Sequence, residues 1–120
     1  MTVFVVQDHR RYDNLTGTYV SVHDLTPAEE FGKLRYLLTP TAAPWNSTSI
    51  LNDLWAGLES FGDLDYLLMV GNPVLCGLAA AVASEVNDGK LRFLQWNGRD
   101  HRYVAVEAQV FEVDRAKVRG

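Results

Sequence analysis

The chain has 120 residues, of which 48% are hydrophobic and 22% charged, with 11 basic and 15 acidic residues and a formal net charge of −4. These values fit one globular domain that buries roughly 65% of its unfolded surface. They exclude long disorder and weigh against nucleic-acid binding, which feeds on dense positive charge. One cysteine, Cys76, excludes an internal disulfide and a cysteine-rich zinc site.

Taken in chain order, TVFVVQ (2–7) is apolar on both faces and predicts a buried strand. The run Val3 to Val6 is too short for the core of a signal peptide, and no stretch reaches the roughly 18 apolar residues of a membrane span. A soluble, cytoplasmic protein without a membrane partner is therefore expected. DHRRYDNLTG (8–17) is polar, ends on Gly17 and predicts a loop. TYVSVHD (18–24) alternates, which fits a short edge strand or the return arm of a hairpin.

DLTPAEEFG (24–32) signals a helix start. Thr26 can cap, Pro27 suits the first helical position, and Glu29 follows Thr26 at the spacing of a capping box. Gly32 can end the helix in a left-handed conformation after one or two turns. KLRYLLT (33–39) predicts a strand. PTAAPWNST (40–48) is a loop pinned by Pro40 and Pro44, with Trp45 expected to anchor it on the core. Its Asn46-Ser47-Thr48 has the glycosylation pattern, which has no consequence inside a cell.

STSILNDLWAGLESFG (47–62) follows the helix period. Ile50, Leu51, Leu54, Trp55, Leu58 and Phe61 form its stripe, with Ser47 as cap and Gly62 as stop. DYLLMV (65–70) is a continuous apolar run, as in a central strand. PVLCGLAAAVASEV (73–86) is an apolar helix started by Asn72 and Pro73. Being apolar nearly all round, it is expected to be buried. KLRFLQW (90–96) and HRYVAVEAQVFEV (101–113) are strands joined at Asn97-Gly98, the strongest hairpin signal in the chain. The prediction is one small α/β domain over 1–113 with a polar tail over 114–120. Its mixed, mostly parallel sheet has about five strands, two main helices and a C-terminal β-hairpin.

Four features could carry chemistry or recognition. The turn Gly71-Asn72-Pro73 joins a parallel strand to a helix, the usual ligand side of an open α/β sheet, where free amides attract anions. Gly71 and Asn72 are therefore candidate anion-binding residues. No glycine-rich phosphate fingerprint accompanies them, and a joint with structural caps is the preferred reading. Cys76, in the first turn of that helix, could be a nucleophile with His9, His23 or His101 as base. Its neighbours Leu75, Gly77 and Leu78 favour a core residue instead. Asp63 and Asp65 could help hold Mg²⁺, but they precede a strand at the end opposite the usual ligand side and read as a solvated turn. NGRDHRY (97–103) gathers Arg99, Asp100, His101 and Arg102 on a hairpin tip between Trp96 and Tyr103. Those residue types are enriched in interface hot spots. DHRRY (8–12) is a second segment of like composition.

DYLLMVGNPVLCGLAAAVASEVNDGKLRFLQWNGRDHRYVAVE (65–107) resembles a group of small, functionally uncharacterised proteins of tailed bacteriophages. The shared pieces are the apolar strand Leu67–Val70, a G-[DN]-P turn, the helix with Gly77–Ala81, and Leu94-Gln95-Trp96 before a basic hairpin. The segment 24–32 also matches. The stretch 10–23 departs from that pattern, and Asn72 stands where Asp is more usual. The resemblance implies a viral origin and a host-cell cytoplasmic location, and no activity.

The leading expectation is a non-enzymatic module that binds a host or phage protein through Trp96, Arg99, Asp100, His101, Arg102 and Tyr103. It needs no cofactor and no metal. A small-ligand or nucleotide-binding domain at Gly71-Asn72-Pro73, an enzyme built on Cys76, and a structural or assembly subunit self-associating through the hairpin edge remain as alternatives.

Overall fold

A strand without a polar face must be covered on both sides, and β1 (Thr2–Gln7) is. It lies second in a five-stranded sheet ordered β4-β1-β5-β6-β7, formed with β4 (Lys33–Leu38), β5 (Tyr66–Leu68), β6 (Lys90–Asn97) and β7 (Arg102–Gln109). Pairing is parallel from β4 through β6 and antiparallel between β6 and β7. β2 (Arg10–Asp13) and β3 (Thr18–Ser21) form a separate two-stranded hairpin. A 3-10 helix (Thr26–Phe31), α1 (Ser47–Leu58) and α2 (Pro73–Val86) complete the chain. This computed structural model describes residues 1–8 and 10–111. His9, the end of the domain at 113 and the tail over 114–120 lie outside the described residues.

The alternation of β1 divides the core. Phe4 and Val6 point to one face, where Ile50, Leu54 and Leu58 of α1 meet Leu75, Ala79 and Val82 of α2. Val3 and Val5 point to the other, under Leu25 and Ala28 at the 3-10 helix, with Tyr66, Leu68, Leu94 and Tyr103 from neighbouring strands. On that second face the Arg92 guanidinium stacks 3.9 Å from the Tyr66 ring centroid. Its Nε and Nη2 are buried without a hydrogen-bond partner among the described residues, and the aromatic face replaces water above them.

Several local expectations are corrected. Residues 10–13, read as loop, are strand β2. Their cross-strand partners lie on β3, and Tyr12 meets Tyr19 edge-on with centroids 5.3 Å apart. Thr26 does not cap the short helix: the Asp24 Oδ1 accepts from the Thr26 amide, and Leu25 holds the cap position. Gly32 ends it at φ 151°, ψ 178°, outside the left-handed helical well, and only glycine fits there, since the Met1 carbonyl lies 2.6 Å from where a Cβ would stand. Trp45 is 84% exposed and anchors nothing, and Trp55 stands at the exposed margin of the α1 stripe. Helix α2 is buried on one side only, with Val74, Gly77 and Ala81 facing out. The β6–β7 turn is not centred on Asn97-Gly98. Asn97 forms the last rung, opposite Arg102, and His101 takes the positive φ of 52°.

Candidate functional site

Parallel strands direct their carboxyl ends to one side, so the segments after β1, β5 and β6 emerge together. They are the β2–β3 arm, the turn at 69–72 and the β6–β7 tip.

The gap between β1 and β5 is closed by Gln7. Its carboxamide Nε2 is shared among the carbonyls of Thr39, Pro40 and Ala42 at 3.1, 3.3 and 3.1 Å, and its Oε1 accepts from the Asn72 amide at 3.1 Å. The Gln7 amide donates to the Val70 carbonyl. Gly71, at φ 120°, lies so close that a Cβ would stand 2.6 Å from the Gln7 Cβ. Asn72 caps α2: its Oδ1 accepts from the Val74 and Leu75 amides at 2.9 and 3.4 Å, and its carbonyl accepts from the Cys76 amide. With Pro73 contributing no N–H, the amides of 72 and 74–76 all have acceptors inside the chain. Cys76 is buried, and burial pushes its thiol above the ordinary pKa, away from a reactive thiolate.

The gap between β5 and β6 is open. The Val70 amide donates to the Leu68 carbonyl, a tight bend centred on Met69. That bend turns the chain towards β1 and away from β6. β5 and β6 therefore share a single register pair, Leu67 with Phe93, while β6 runs on to Asn97 beside β7. A cleft of about 840 Å³ results. Leu68 to Gly71 form one wall, Phe93 to Trp96 the other, and Val22 to Asp24 with Pro27 close it on the side of the 3-10 helix. Its volume lies in the range of ligand and peptide sites.

Trp96 and Tyr103 both line this cleft. Tyr103 is buried and forms floor, with Trp96 edge-on above it at 5.0 Å and 41% exposed. Burial, and after it the Asp24 carboxylate, push the Tyr103 hydroxyl above its ordinary pKa. Hydrogen bonds from Thr26 hold Asp24 below the usual carboxylate value, so it is charged at neutral pH. The other tip residues, 99–102, lie between Trp96 and Tyr103 and do not line the cleft. His101 meets the edge of Trp96, Asp100 accepts from Asn97 Nδ2, and Arg102 pairs with Glu30 at 3.3 Å. Arg99 is exposed and has no carboxylate partner among the described residues.

Across the cleft the β2–β3 arm projects, its Leu15 96% exposed at the turn. Its base is held by Asp8, which accepts from Arg10 Nε at 2.7 Å and from Ser21 Oγ at 3.0 Å. The β2–β3 arm and the hairpin tip thus emerge at the same end of the sheet.

Asp63 and Asp65 sit at the opposite end. Asp65 accepts from the Thr2 and Gly62 amides, and Asp63 from Asn87. Among the described residues no three His, Cys, Asp or Glu side chains gather as metal ligands, and no helix is long and apolar enough to cross a membrane.

Gln7, Met69, Val22 and Asp24 were not singled out in the sequence, and His23 was named only as a possible base for Cys76. Only Gln7 left a signal, as the polar residue that ends the apolar run Val3–Val6. Among known proteins, the model of a family described as phage Pam3 gp32-like protein matches residues 1–110. Neither a curated protein nor a solved structure matches the chain.

Proposed function

We propose, for a chain that belongs to the phage Pam3 gp32-like protein family, that it is a non-enzymatic module binding a host or phage protein at the carboxyl end of its sheet. The observation that carries this reading is the cleft between β5 and β6. Trp96 stands half-exposed over buried Tyr103 in it, and exposed Arg99 follows three residues further along the same hairpin. Aromatic and arginine side chains at the centre of a concave surface are the usual anchors of protein recognition. The arm adds exposed Tyr12, Tyr19 and Leu15 on the other side. The Cys76 thiol, buried and raised in pKa, argues for a packing role there.

The test is capture from host-cell lysate by tagged protein, compared with Trp96→Ala and Arg99→Glu. One stoichiometric partner, lost from both variants, is the expected result. A partner that both variants retain, or no partner from infected or uninfected cells, would overturn the reading.

A further inference from the structure

We propose that the partner enters the β5–β6 cleft as an extended segment, pairing its backbone with β6 over Leu94–Asn97 and directing a basic side chain to Asp24. This rests on the interaction reading above and specifies its mode.

The backbone supplies the first ground. Strand β6 is eight residues long, but β5 accompanies it only at Phe93, because the bend at Met69 takes the chain away. Beyond Phe93 the strand runs on beside β7 to Asn97, and among the described residues no further register pair joins it to β5. An unpaired strand margin inside a cleft is a template for strand addition, in which main-chain hydrogen bonds give affinity and alternate side chains give specificity. About four residues of added strand would span about 13 Å.

The walls supply the second. Side chains of an added strand would alternate between the two faces of the sheet. On the face of the 3-10 helix they would meet Trp96 and Asp24. On the other they would meet Phe93, Val106 and Met69, an apolar surface. Among the described residues no Lys or Arg lines the cleft, and Asp24 is its only acidic residue. A carboxylate and an exposed indole lining one cleft suit a Lys or Arg, through charge and through the ring face. The expected segment therefore alternates basic and apolar residues.

The probe is an acetylated, amidated hexapeptide alternating valine and lysine. Its controls are the same peptide with glutamate for lysine and one with alternate backbone amides methylated. Chemical shifts of the protein's backbone amides are read during titration. The lysine peptide is expected to move Leu94–Asn97, to bind about tenfold more tightly than the glutamate peptide, and to lose that preference in Asp24→Asn. Methylation is expected to abolish binding. Unmoved amides at 94–97, equal binding of both peptides, or a preference that survives Asp24→Asn would overturn the proposal. If those amides stay still while Arg99→Glu still strips a captured partner, strand addition fails and the interaction reading stands. If the peptide binds as expected while a captured partner ignores both Trp96→Ala and Arg99→Glu, the interaction reading fails as stated.

Discussion

Two gaps open on the same end of one sheet, and they differ in what fills them. Between β1 and β5, where the chain leaves neighbouring strands in opposite directions, the general rule for open α/β sheets places the ligand. Here Gln7 occupies that position, with hydrogen bonds to Thr39, Pro40, Ala42 and Asn72. One strand further along, β6 outlasts β5, and Trp96, Val22 and Met69 keep substantial exposure. The rule points to this end of the sheet, where a single glutamine closes one gap and leaves the other open. Changes in the closed gap should therefore cost stability, and changes at the open one should cost binding.

The largest effect is expected at Gln7. Gln7→Ala removes the part-buried hydrogen bonds to Thr39, Pro40, Ala42 and Asn72 at once and should destabilise by about 2–4 kcal/mol, read as a lowered urea midpoint. An unchanged midpoint would mean that Gln7 is not the plug. Gly71→Ala comes next. It sets a Cβ against Gln7 at a φ that side chains rarely adopt, and should cost about 1–3 kcal/mol in the same measurement. Asn72 separates capping from anion binding. Asn72→Ala should lose about 1 kcal/mol, while Asn72→Asp, which caps α2 as well and favours the helix dipole, should stay within about 0.5 kcal/mol of the parent. Equal losses in the two variants would show that the Oδ1 bonds to Val74 and Leu75 are not what matters. The smallest effect belongs to the open side. Arg102→Gln removes an exposed pair with Glu30 and should shift stability by less than about 0.5 kcal/mol. A larger loss would make the tip part of the fold's support.

The contrast between the gaps also shows what a sequence can display. Asn72 as the cap of α2 was legible because donor and acceptor lie within three residues and Pro73 follows at once. The hot-spot composition at 96–103 was legible in the same way, and Trp96 does stand over the cleft. Tyr103 was not legible as floor, since its burial depends on Trp96 across the strand pair and on the 3-10 helix. Of the arm, the return strand at 18–21 was legible from its alternation, and β2 was missed because 8–17 is polar and a two-stranded hairpin based on Asp8 needs no apolar stripe.

Periodicity and turn chemistry by themselves determined the five main strands, the two long helices and the mixed sheet, because each signal is written within one turn or one strand. Strand order, the plug and the split were decided only in three dimensions. Gln7 reaches Asn72 across 65 residues, and β6 loses its neighbour because a bend at Met69 satisfies the Val70 amide locally and hands the Val70 carbonyl to β1. Such contacts join groups that are distant along the chain, so no local pattern could announce them.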